Sequence, residues 1–405
     1  MFARSRLFVA TKRWSSAAAN MAFKNNPIVP PDQLLQPVNI PVKKLYGPGP
    51  SNVRKEVGEA QTQPMLGHLH TEFLKVMDDV REGVKYVFQT RNPLTFVVSG
   101  TGHAGMECAL LNCLEAGERL LVIRNGLWGE RAASLGKRLN LNVHVLSVPD
   151  GEVATLDQFE KEVETFKPHA VFVCQGESST GVLHPLEGFG PICHQNGALL
   201  VVDTVASLAG APFKADELEV DCVYSATQKA LNAPPGLAPI SFSDLAVQKL
   251  RNRKTPVASF YFDALELGNY WGCFGEARRY HHTGMVSLVY ALREALAAVA
   301  VERIDQSVER HQANAKILYQ LLNDNGFECF VQKEENRLPC LTTVKVPEGV
   351  DWKSVQDNLM SQKWEIAGGL GATVGKIWRI GTFGLNSDPQ RFHQLPTLLK
   401  QAAKL

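Results

Sequence analysis

The sequence is short of the features that mark several classes of protein. Its formal net charge is only +1, so it lacks the field that would steer it to nucleic acid. No apolar run approaches the roughly 20 residues that span a bilayer. The eight cysteines include no C-x-x-C pair, the spacing typical of a zinc site. We therefore expect an intracellular globular protein with reduced thiols, no metal site, and neither nucleic acid nor membrane as a partner.

Acidic residues are absent from positions 1–31, where Arg4, Arg6, Lys12 and Arg13 alternate with apolar side chains. A basic, serine-bearing and acid-free leader of this kind is typical of a mitochondrial transit peptide. We predict such a peptide over residues 1–21, and hence a location in the mitochondrial matrix. A disordered basic tail is the alternative interpretation.

The last three residues, Ala403-Lys404-Leu405, approximate the Ser-Lys-Leu address of peroxisomal proteins. A second methionine, Met21, follows the predicted transit peptide. Initiation at Met21 would leave the terminal tripeptide as the remaining address. Dual targeting to mitochondria and peroxisomes is therefore a hypothesis.

The rest of the chain divides into three regions of different texture. Residues 22–50 are rich in proline and predict an extended arm. Residues 51–283 alternate short apolar runs with helical patterns, which predicts a large α/β domain with a mostly parallel sheet covered by helices. Residues 284–405 predict a long linking helix, over Ser287–Asn323, and a smaller C-terminal α+β domain.

Two charged residues lie where ligands bind in such sheets. Asp203 ends the apolar run Ala198–Val202, and Lys229 follows shortly after the run that begins at Cys222. Because ligands bind at the carboxyl ends of the strands, we expect both side chains at one site. A lysine that holds an aldehyde as a Schiff base, with an acid that keeps a pyridine nitrogen protonated, is what pyridoxal phosphate requires. A helix N-cap for Asp203 and a solvated surface lysine for Lys229 are the alternatives.

The glycine-rich stretch Ser99–Gly105 follows a predicted strand and opens a predicted helix. Free N–H groups in such a turn bind phosphate. The stretch also fits the dinucleotide pattern G-x-G-x-x-G, but no acidic residue follows the next strand to bind a ribose. A cofactor phosphate and a simple tight turn both remain open from the local sequence.

Three further residues are candidates for ligand contact. The indole of Trp128 could stack on an aromatic ring, the hydroxyl of Ser178 could bind a cofactor or substrate, and Arg379 could bind a carboxylate. A core tryptophan, a polar turn and a structural ion pair are the respective alternatives. The pair His281-His282, in Tyr280–Thr283, lacks the further ligands that a metal site needs.

The chain resembles the class V, fold-type I aminotransferases that depend on pyridoxal phosphate, and in particular the alanine–glyoxylate (serine–pyruvate) aminotransferase family. The resemblance extends from about residue 45 to 385 and leaves out the leader. It is carried by the segments Gly47–Asn52, Val87–Pro93, Ser99–Gly105, Gly176–Gly181, Val202–Ser207, Gln228–Gly236, Tyr261–Cys273, Tyr280–Thr283 and Gly368–Gly371.

The resemblance implies a seven-stranded large-domain sheet and a role for each site residue. Lys229 is implied as the Schiff-base lysine, Asp203 as the partner of the pyridine nitrogen, and Arg379 as the clamp for the substrate carboxylate. A homodimer with shared active sites is implied as well. The residues implied around the cofactor are Thr101, Gly102, His103, Trp128, Ser178 and Gln228, with Tyr280 and Thr283 reaching the phosphate of the neighbouring subunit.

The resemblance leaves the substrate open. Gly67 and His68, near the expected substrate, fall where family members differ, and Ala104–Glu107 resembles the insect 3-hydroxykynurenine transaminases. Transfer of the amino group of alanine or serine to glyoxylate, giving glycine and pyruvate or hydroxypyruvate, is the first hypothesis. Transamination of 3-hydroxykynurenine or kynurenine is the second. A catalytically silent dimeric scaffold is the third.

Overall fold

The computed structural model describes residues 30–405 of the chain. The predicted transit peptide and Met21 lie outside this range, as do residues 22–29 of the predicted arm. The described residues fall into two units, 30–42 and Lys43–Leu405. The described part of the first unit contains one short 3-10 helix, Asp32–Leu35. Targeting to mitochondria or peroxisomes stays a prediction, and so do the domain limits at residues 21, 50 and 283.

The second unit is an α/β structure built on a mixed sheet of seven strands. The first ten strands of the unit, in chain order, are β1 Lys44–Leu45, β2 Leu94–Ser99, β3 Arg119–Arg124, β4 Asn142–Ser147, β5 Ala170–Cys174, β6 Gly176–Glu177, β7 Val182–Leu183, β8 Leu199–Asp203, β9 Cys222–Tyr224 and β10 Leu237–Phe242. All except the short β1, β6 and β7 belong to the large sheet. Its spatial order is β2-β10-β9-β8-β5-β3-β4, in which β10 alone is antiparallel to its two neighbours.

Helices cover the sheet and lead into the C-terminal region. Their bounds are α1 Lys55–Ala60, α2 Thr71–Phe88, α3 Gly102–Cys113, α4 Leu127–Arg138, α5 Leu156–Phe166, α6 Phe189–Gln195, α7 Asp244–Arg251, α8 Ala264–Tyr270, α9 Val286–Glu302, α10 Ile304–Asp324, α11 Trp352–Ser361, α12 Pro389–Phe392 and α13 Leu395–Ala403.

The fold class predicted from the sequence is confirmed. Every residue of β2, β5, β8, β9 and β10 is buried, as expected for strands with helices on both faces. The sequence reasoning did not identify β10 as a strand. Pro239 lies inside it, and proline lacks the N–H that a central strand normally donates. In the structure Pro239 contributes its carbonyl instead, which accepts the Ser225 N–H at 2.9 Å.

A smaller antiparallel sheet lies in the C-terminal region, with the order β11-β14-β13. Its strands, together with β12, are β11 Leu341–Lys345, β12 Trp364–Glu365, β13 Ala367–Gly368 and β14 Ile377–Gly381. A hydrophobic core separate from that of the large sheet surrounds Trp364 and Trp378. Strand β1 pairs in parallel with β12, so residues 43–50, which we assigned to the arm, lie within the second unit.

The predicted linking helix, Ser287–Asn323, is two helices. Arg303 separates α9 from α10 and has a positive φ of 73°. The sequence carries no proline or glycine at this point, so periodicity alone did not predict the break. Within residues 30–405, none of the helices has the length and hydropathy needed to cross a membrane.

Asn232, three residues after Lys229, connects this turn to the segment near Ser51 and to the segment that follows β14. Its side-chain amide donates to Ser51 Oγ at 2.9 Å and to the Phe383 carbonyl at 3.2 Å, and it accepts the Leu385 N–H at 2.7 Å. The residue is fully buried and has a φ of 54°, which asparagine tolerates better than most residues. One side chain thus satisfies three polar groups that would otherwise be buried without partners.

We expect Asn232→Ala to lower the free energy of unfolding by about 3 kcal/mol, because buried donors and acceptors lose their partner. Urea unfolding at a fixed protein concentration measures the change. The matched control is Asn140→Ala, at an exposed position with a φ of 57°, where only the backbone cost of about 1 kcal/mol should appear. Equal losses in the two variants would contradict this role for Asn232.

Candidate active site

A cavity of about 150 Å³ lies at the carboxyl edge of the large sheet. Its walls come from residues at or after the ends of β2, β3, β5, β8 and β9, which is where ligands bind in open α/β sheets. Eight residues predicted from the sequence line it together: Thr101, Gly102, His103, Trp128, Ser178, Asp203, Gln228 and Lys229.

Asp203 ends β8 and is 3% exposed. Burial raises the pKa of its carboxyl group to about 6, and two hydrogen bonds oppose that rise. The Tyr224 hydroxyl donates to Oδ2 at 2.5 Å, and the Val205 N–H donates to Oδ1 at 2.7 Å. The carboxylate is therefore held by two donors at a site from which water is largely excluded, and the positive charge of Lys229 also lowers its pKa.

Lys229 lies on the turn that follows β9 and is 9% exposed. Burial lowers the pKa of its amine to about 8, and the positive charge of Arg379 lowers it further. The amine donates to the carbonyl of Pro48, and a Cβ on Gly49 would come within 2.6 Å of it. Lys229 therefore presents an amine that is easily deprotonated, and it lies against Gly49, whose φ of 101° favours glycine at that position.

The first turn of α3 forms one end of the cavity. Thr101 is the N-cap residue, and Gly102 and His103 begin the helix. The first N–H groups of a helix have no partners within it, so they bind anions. A Cβ on Gly102 would come within 3.1 Å of Val205, so glycine keeps this wall of the cavity close to the backbone.

Trp128 and Ser178 form a further wall and are bonded to each other. The indole N–H of Trp128 donates to Ser178 Oγ at 2.8 Å. The ring of His103 lies edge-on to the indole, with 5.4 Å between the ring centroids. The indole is thus held at its edge by a hydroxyl and beside a second ring.

Arg379 lies on β14 and is 7% exposed. Its guanidinium donates to two neutral carbonyls, those of Gly368 at 2.8 Å and Ser178 at 3.3 Å. Burial lowers its pKa to about 10, and the negative charge of Glu177 acts in the opposite direction. The structure thus places a buried cation beside the Ser178 wall with donors available for an anionic ligand.

The other predicted site residues lie in a separate cluster within this chain. The ring of His68 is 5.3 Å from that of Tyr280, and a Cβ on Gly284 would lie 3.8 Å from His68. The lining of the Lys229 cavity does not include Gly67, His68, Tyr280 or Thr283. Tyr280 is exposed.

Two functional candidates were missed by the sequence reasoning. Tyr224, in the run that precedes Lys229, donates to Asp203, and Glu177, in the segment Gly176–Gly181, accepts the Trp128 N–H at 2.9 Å. Both lie in segments that we had singled out, but β-strand tyrosines are common in cores and acidic residues are common in turns. The signal for Glu177 is its position inside a buried stretch of small residues.

Comparison with known proteins agrees with this geometry. The family model for aminotransferase class-V matches residues 52–382. The chain belongs to the class-V aminotransferase family. It is therefore an aminotransferase, from a family whose members depend on pyridoxal phosphate.

Named relatives are similar over nearly the whole chain. The alanine–glyoxylate aminotransferase of Callithrix jacchus is 46% identical over 93% of this chain and 91% of its own length. That of Drosophila melanogaster is 44% identical over 93% of this chain and 96% of its own. The crystal structure of an alanine–glyoxylate aminotransferase from Nostoc sp. superposes with a TM-score of 0.89, at 42% identity, and covers 93% of this class-V chain and 100% of that one.

The bond from Tyr224 to Asp203 yields a prediction about pH. The folded-state pKa of Asp203, about 6, lies above its ordinary value of 3.8, so ionisation costs stability as the pH rises through this interval. Tyr224→Phe removes a donor and raises this pKa further. We expect a loss in unfolding free energy that is small at pH 5, where Asp203 is protonated, and grows to about 2 kcal/mol at pH 8.

Urea unfolding at the two pH values measures this loss. Tyr270→Phe is the control, because Tyr270 is equally buried and its hydroxyl donates to a neutral carbonyl, that of His68, at 3.4 Å. Its loss should not change between pH 5 and pH 8. A pH-independent loss in Tyr224→Phe would show that the tyrosine does not stabilise the ionised carboxylate.

Proposed function

We propose that this protein transfers the amino group of alanine or serine to glyoxylate, with pyridoxal phosphate bound at Lys229. The observation that carries the proposal is the burial of the Lys229 amine and the Asp203 carboxylate on the lining of one cavity. The relatives named above, which cover most of the chain, act on alanine and glyoxylate by their names. Their agreement supports the choice of substrates.

The residues present fit pyridoxal phosphate. Asp203 offers a carboxylate to the pyridine nitrogen, Trp128 offers a flat face to the ring, and the first turn of α3 offers N–H groups to the phosphate. Gln228 Oε1 is buried and has no hydrogen-bond partner among residues 30–405, and its side chain lines the cavity. A polar ligand would satisfy this acceptor.

The bound cofactor would supply an electron sink that acidifies the α-carbon proton of an amino acid. Asp203, kept ionised by Tyr224 and Val205, would hold the pyridine nitrogen in its protonated form. A positive charge on that nitrogen would lower the pKa of Asp203 in turn, because an opposite charge favours the ionised carboxylate. Burial, which is costly for the carboxylate alone, then strengthens the pair.

Lys229 would move the proton. With a pKa near 8, a sizeable fraction of its amine is neutral under mildly alkaline conditions and can accept the proton from the substrate α-carbon, then return it. A proton shuttle of this kind accounts for about 10² to 10⁴ in rate. Arg379, whose present partners are two carbonyls, would bind the substrate carboxylate with its planar fork.

A donor panel tests the proposed substrates. We expect alanine or serine with glyoxylate to yield glycine, together with pyruvate or hydroxypyruvate, because the relatives named above act on alanine and glyoxylate by their names. The panel contains alanine, serine, kynurenine and 3-hydroxykynurenine, and glycine is quantified by mass spectrometry. Faster turnover of the kynurenines than of alanine and serine would contradict the proposed donors. Failure to form glycine with any donor would refute the proposed reaction.

Lys229→Ala is the control for the panel. We expect it to lower turnover by about 10² to 10⁴, because the proton shuttle is lost, while the unfolding midpoint changes little. Retained transamination in this variant would refute the assignment of Lys229.

The separate cluster supports a shared site between two subunits. We propose that Tyr280 and Thr283, with Gly67 and His68 beside them, complete the cavity of a second copy in a homodimer. Two observations support this. Tyr280 is 60% exposed and nearby Phe260 is 64% exposed. Neither residue lines the Lys229 cavity of its own chain. Exposed aromatic groups of this size are typical of interfaces.

Hybrid dimers test the shared site. Lys229→Ala and Thr283→Ala subunits are each expected to be weakly active alone. When they are unfolded together and refolded, half the dimers should be hybrids, and each should contain one intact site, so activity should return to about a quarter of wild type. Failure of the mixture to exceed the separate variants, with hybrids verified by differential tags, would contradict sites shared across the dimer.

A further inference from the structure

Glu177 is a fully buried carboxylate that adjoins the cavity without lining it. It accepts three hydrogen bonds: the Trp128 N–H at 2.9 Å on Oε2, and the Ser179 N–H at 2.9 Å and Ser179 hydroxyl at 2.6 Å on Oε1. Burial raises its pKa to about 7, and these hydrogen bonds oppose the rise. A buried acid with three donors has a defined position, because rotating it would leave several groups unsatisfied.

These bonds fix the start of α4 to the turn that follows β6. The Leu127 N–H donates to Ser179 Oγ at 2.9 Å, next to the bond from the Trp128 N–H to Glu177. A negative charge at this point also interacts favourably with the helix dipole. A Cβ on Gly126 would come within 2.4 Å of the Glu177 carboxyl carbon, so the backbone and the carboxylate are in close contact. Trp128 is therefore held through its main chain by Glu177 and through its indole by Ser178.

The same turn carries contacts to the smaller sheet. Arg379 donates to the Ser178 carbonyl at 3.3 Å, and Thr343 Oγ1 donates to the Thr180 carbonyl at 2.8 Å. Thr373 Oγ1 donates to the Ser179 carbonyl at 3.3 Å. A change in the Glu177 turn would therefore displace both the indole wall and the support of Arg379.

We propose that Glu177 is a positioning residue for the transamination reaction, which holds Trp128 against the cofactor and the Ser178 turn against Arg379. The inference rests on the proposed function. Glu177 acts through Trp128 and Ser178 and takes no part in proton transfer, so its loss should weaken binding more than it slows the chemical step.

Glu177→Gln is the test variant. It keeps the size of the side chain but presents an amide N–H₂ where one oxygen now accepts, so at least one donor loses its partner. Asp221→Asn is the matched control. Asp221 is 1% exposed and accepts the Leu200 N–H at 2.8 Å and the Ser243 hydroxyl at 2.7 Å, but it precedes β9 and so lies at the opposite edge of the sheet.

The primary measurement is the affinity of the full-length, cofactor-free chain for pyridoxal phosphate, followed by quenching of tryptophan fluorescence. We expect Glu177→Gln to weaken this affinity by about tenfold or more, since a charge-assisted bond to the Trp128 segment is lost. Asp221→Asn should stay within about twofold of wild type, although both variants lose a buried charge. Glu177→Asp should recover part of the affinity.

Steady-state kinetics on the loaded enzyme provide the second measurement. We expect Glu177→Gln to raise KM for the amino donor by a larger factor than it lowers kcat, whereas a merely structural loss would lower kcat through the amount of active enzyme. If Glu177→Gln does not fold, Ser179→Ala removes one donor to Glu177 and one acceptor for Leu127, and it should weaken cofactor affinity in the same direction.

The results distinguish failure of the proposed function from failure of the positioning role of Glu177. Wild-type protein that neither binds pyridoxal phosphate nor forms glycine would refute the proposed function. Active wild-type protein, with Glu177→Gln or Ser179→Ala no weaker in cofactor affinity than Asp221→Asn, would refute the positioning role of Glu177 and leave the proposed function intact.

Discussion

Asp203 and Lys229 are withdrawn from water on the walls of one cavity, and burial disfavours the charged form of each. It raises the pKa of the carboxyl group to about 6 and lowers that of the amine to about 8. Both shifts favour the neutral forms, so the charged pair destabilises the fold unless other groups support it. Tyr224, Val205 and the Pro48 carbonyl provide that support. The arrangement suits a ligand that brings a cationic nitrogen to the acid and an electrophilic carbon to the amine.

The turn from Gly176 to Gly181 connects this chemistry to the rest of the second unit. Its side chains and carbonyls bind the start of α4, strand β11 through Thr343, and Arg379 on β14. The elements that would bind the cofactor ring and the substrate carboxylate thus share one rigid support. Precise placement of this kind is what raises the rate of a reaction between bound groups.

The residues that could be predicted from the sequence are those whose position follows from the local pattern of apolar and charged residues. Asp203 and Lys229 follow buried apolar runs, and parallel strands bring the ends of such runs to one edge, so their proximity could be inferred without coordinates. The fold class followed from the same runs. Strand β10 could not be predicted in this way, because a proline such as Pro239 is unusual in a central strand. Its carbonyl nevertheless accepts a hydrogen bond from the Ser225 N–H.

Other features depend on contacts between distant residues and could not be read from the chain. Tyr224 and Glu177 have ordinary local sequences, and their roles arise from hydrogen-bond partners 21 and 49 positions away. The break at Arg303 has no glycine or proline to mark it. Tyr280 and Thr283 do not line the Lys229 cavity of their own chain, and the proposal that they complete a second copy's cavity needs a contact that one chain's sequence and structure do not contain.

Reduction with borohydride, followed by peptide mapping, tests the central claim most directly. The purified protein, incubated with pyridoxal phosphate and then reduced, should carry a stable pyridoxyl group on Lys229. We predict this single modified position and the loss of the yellow colour. A modification mapped to another lysine, or a protein that takes up no cofactor, would contradict it.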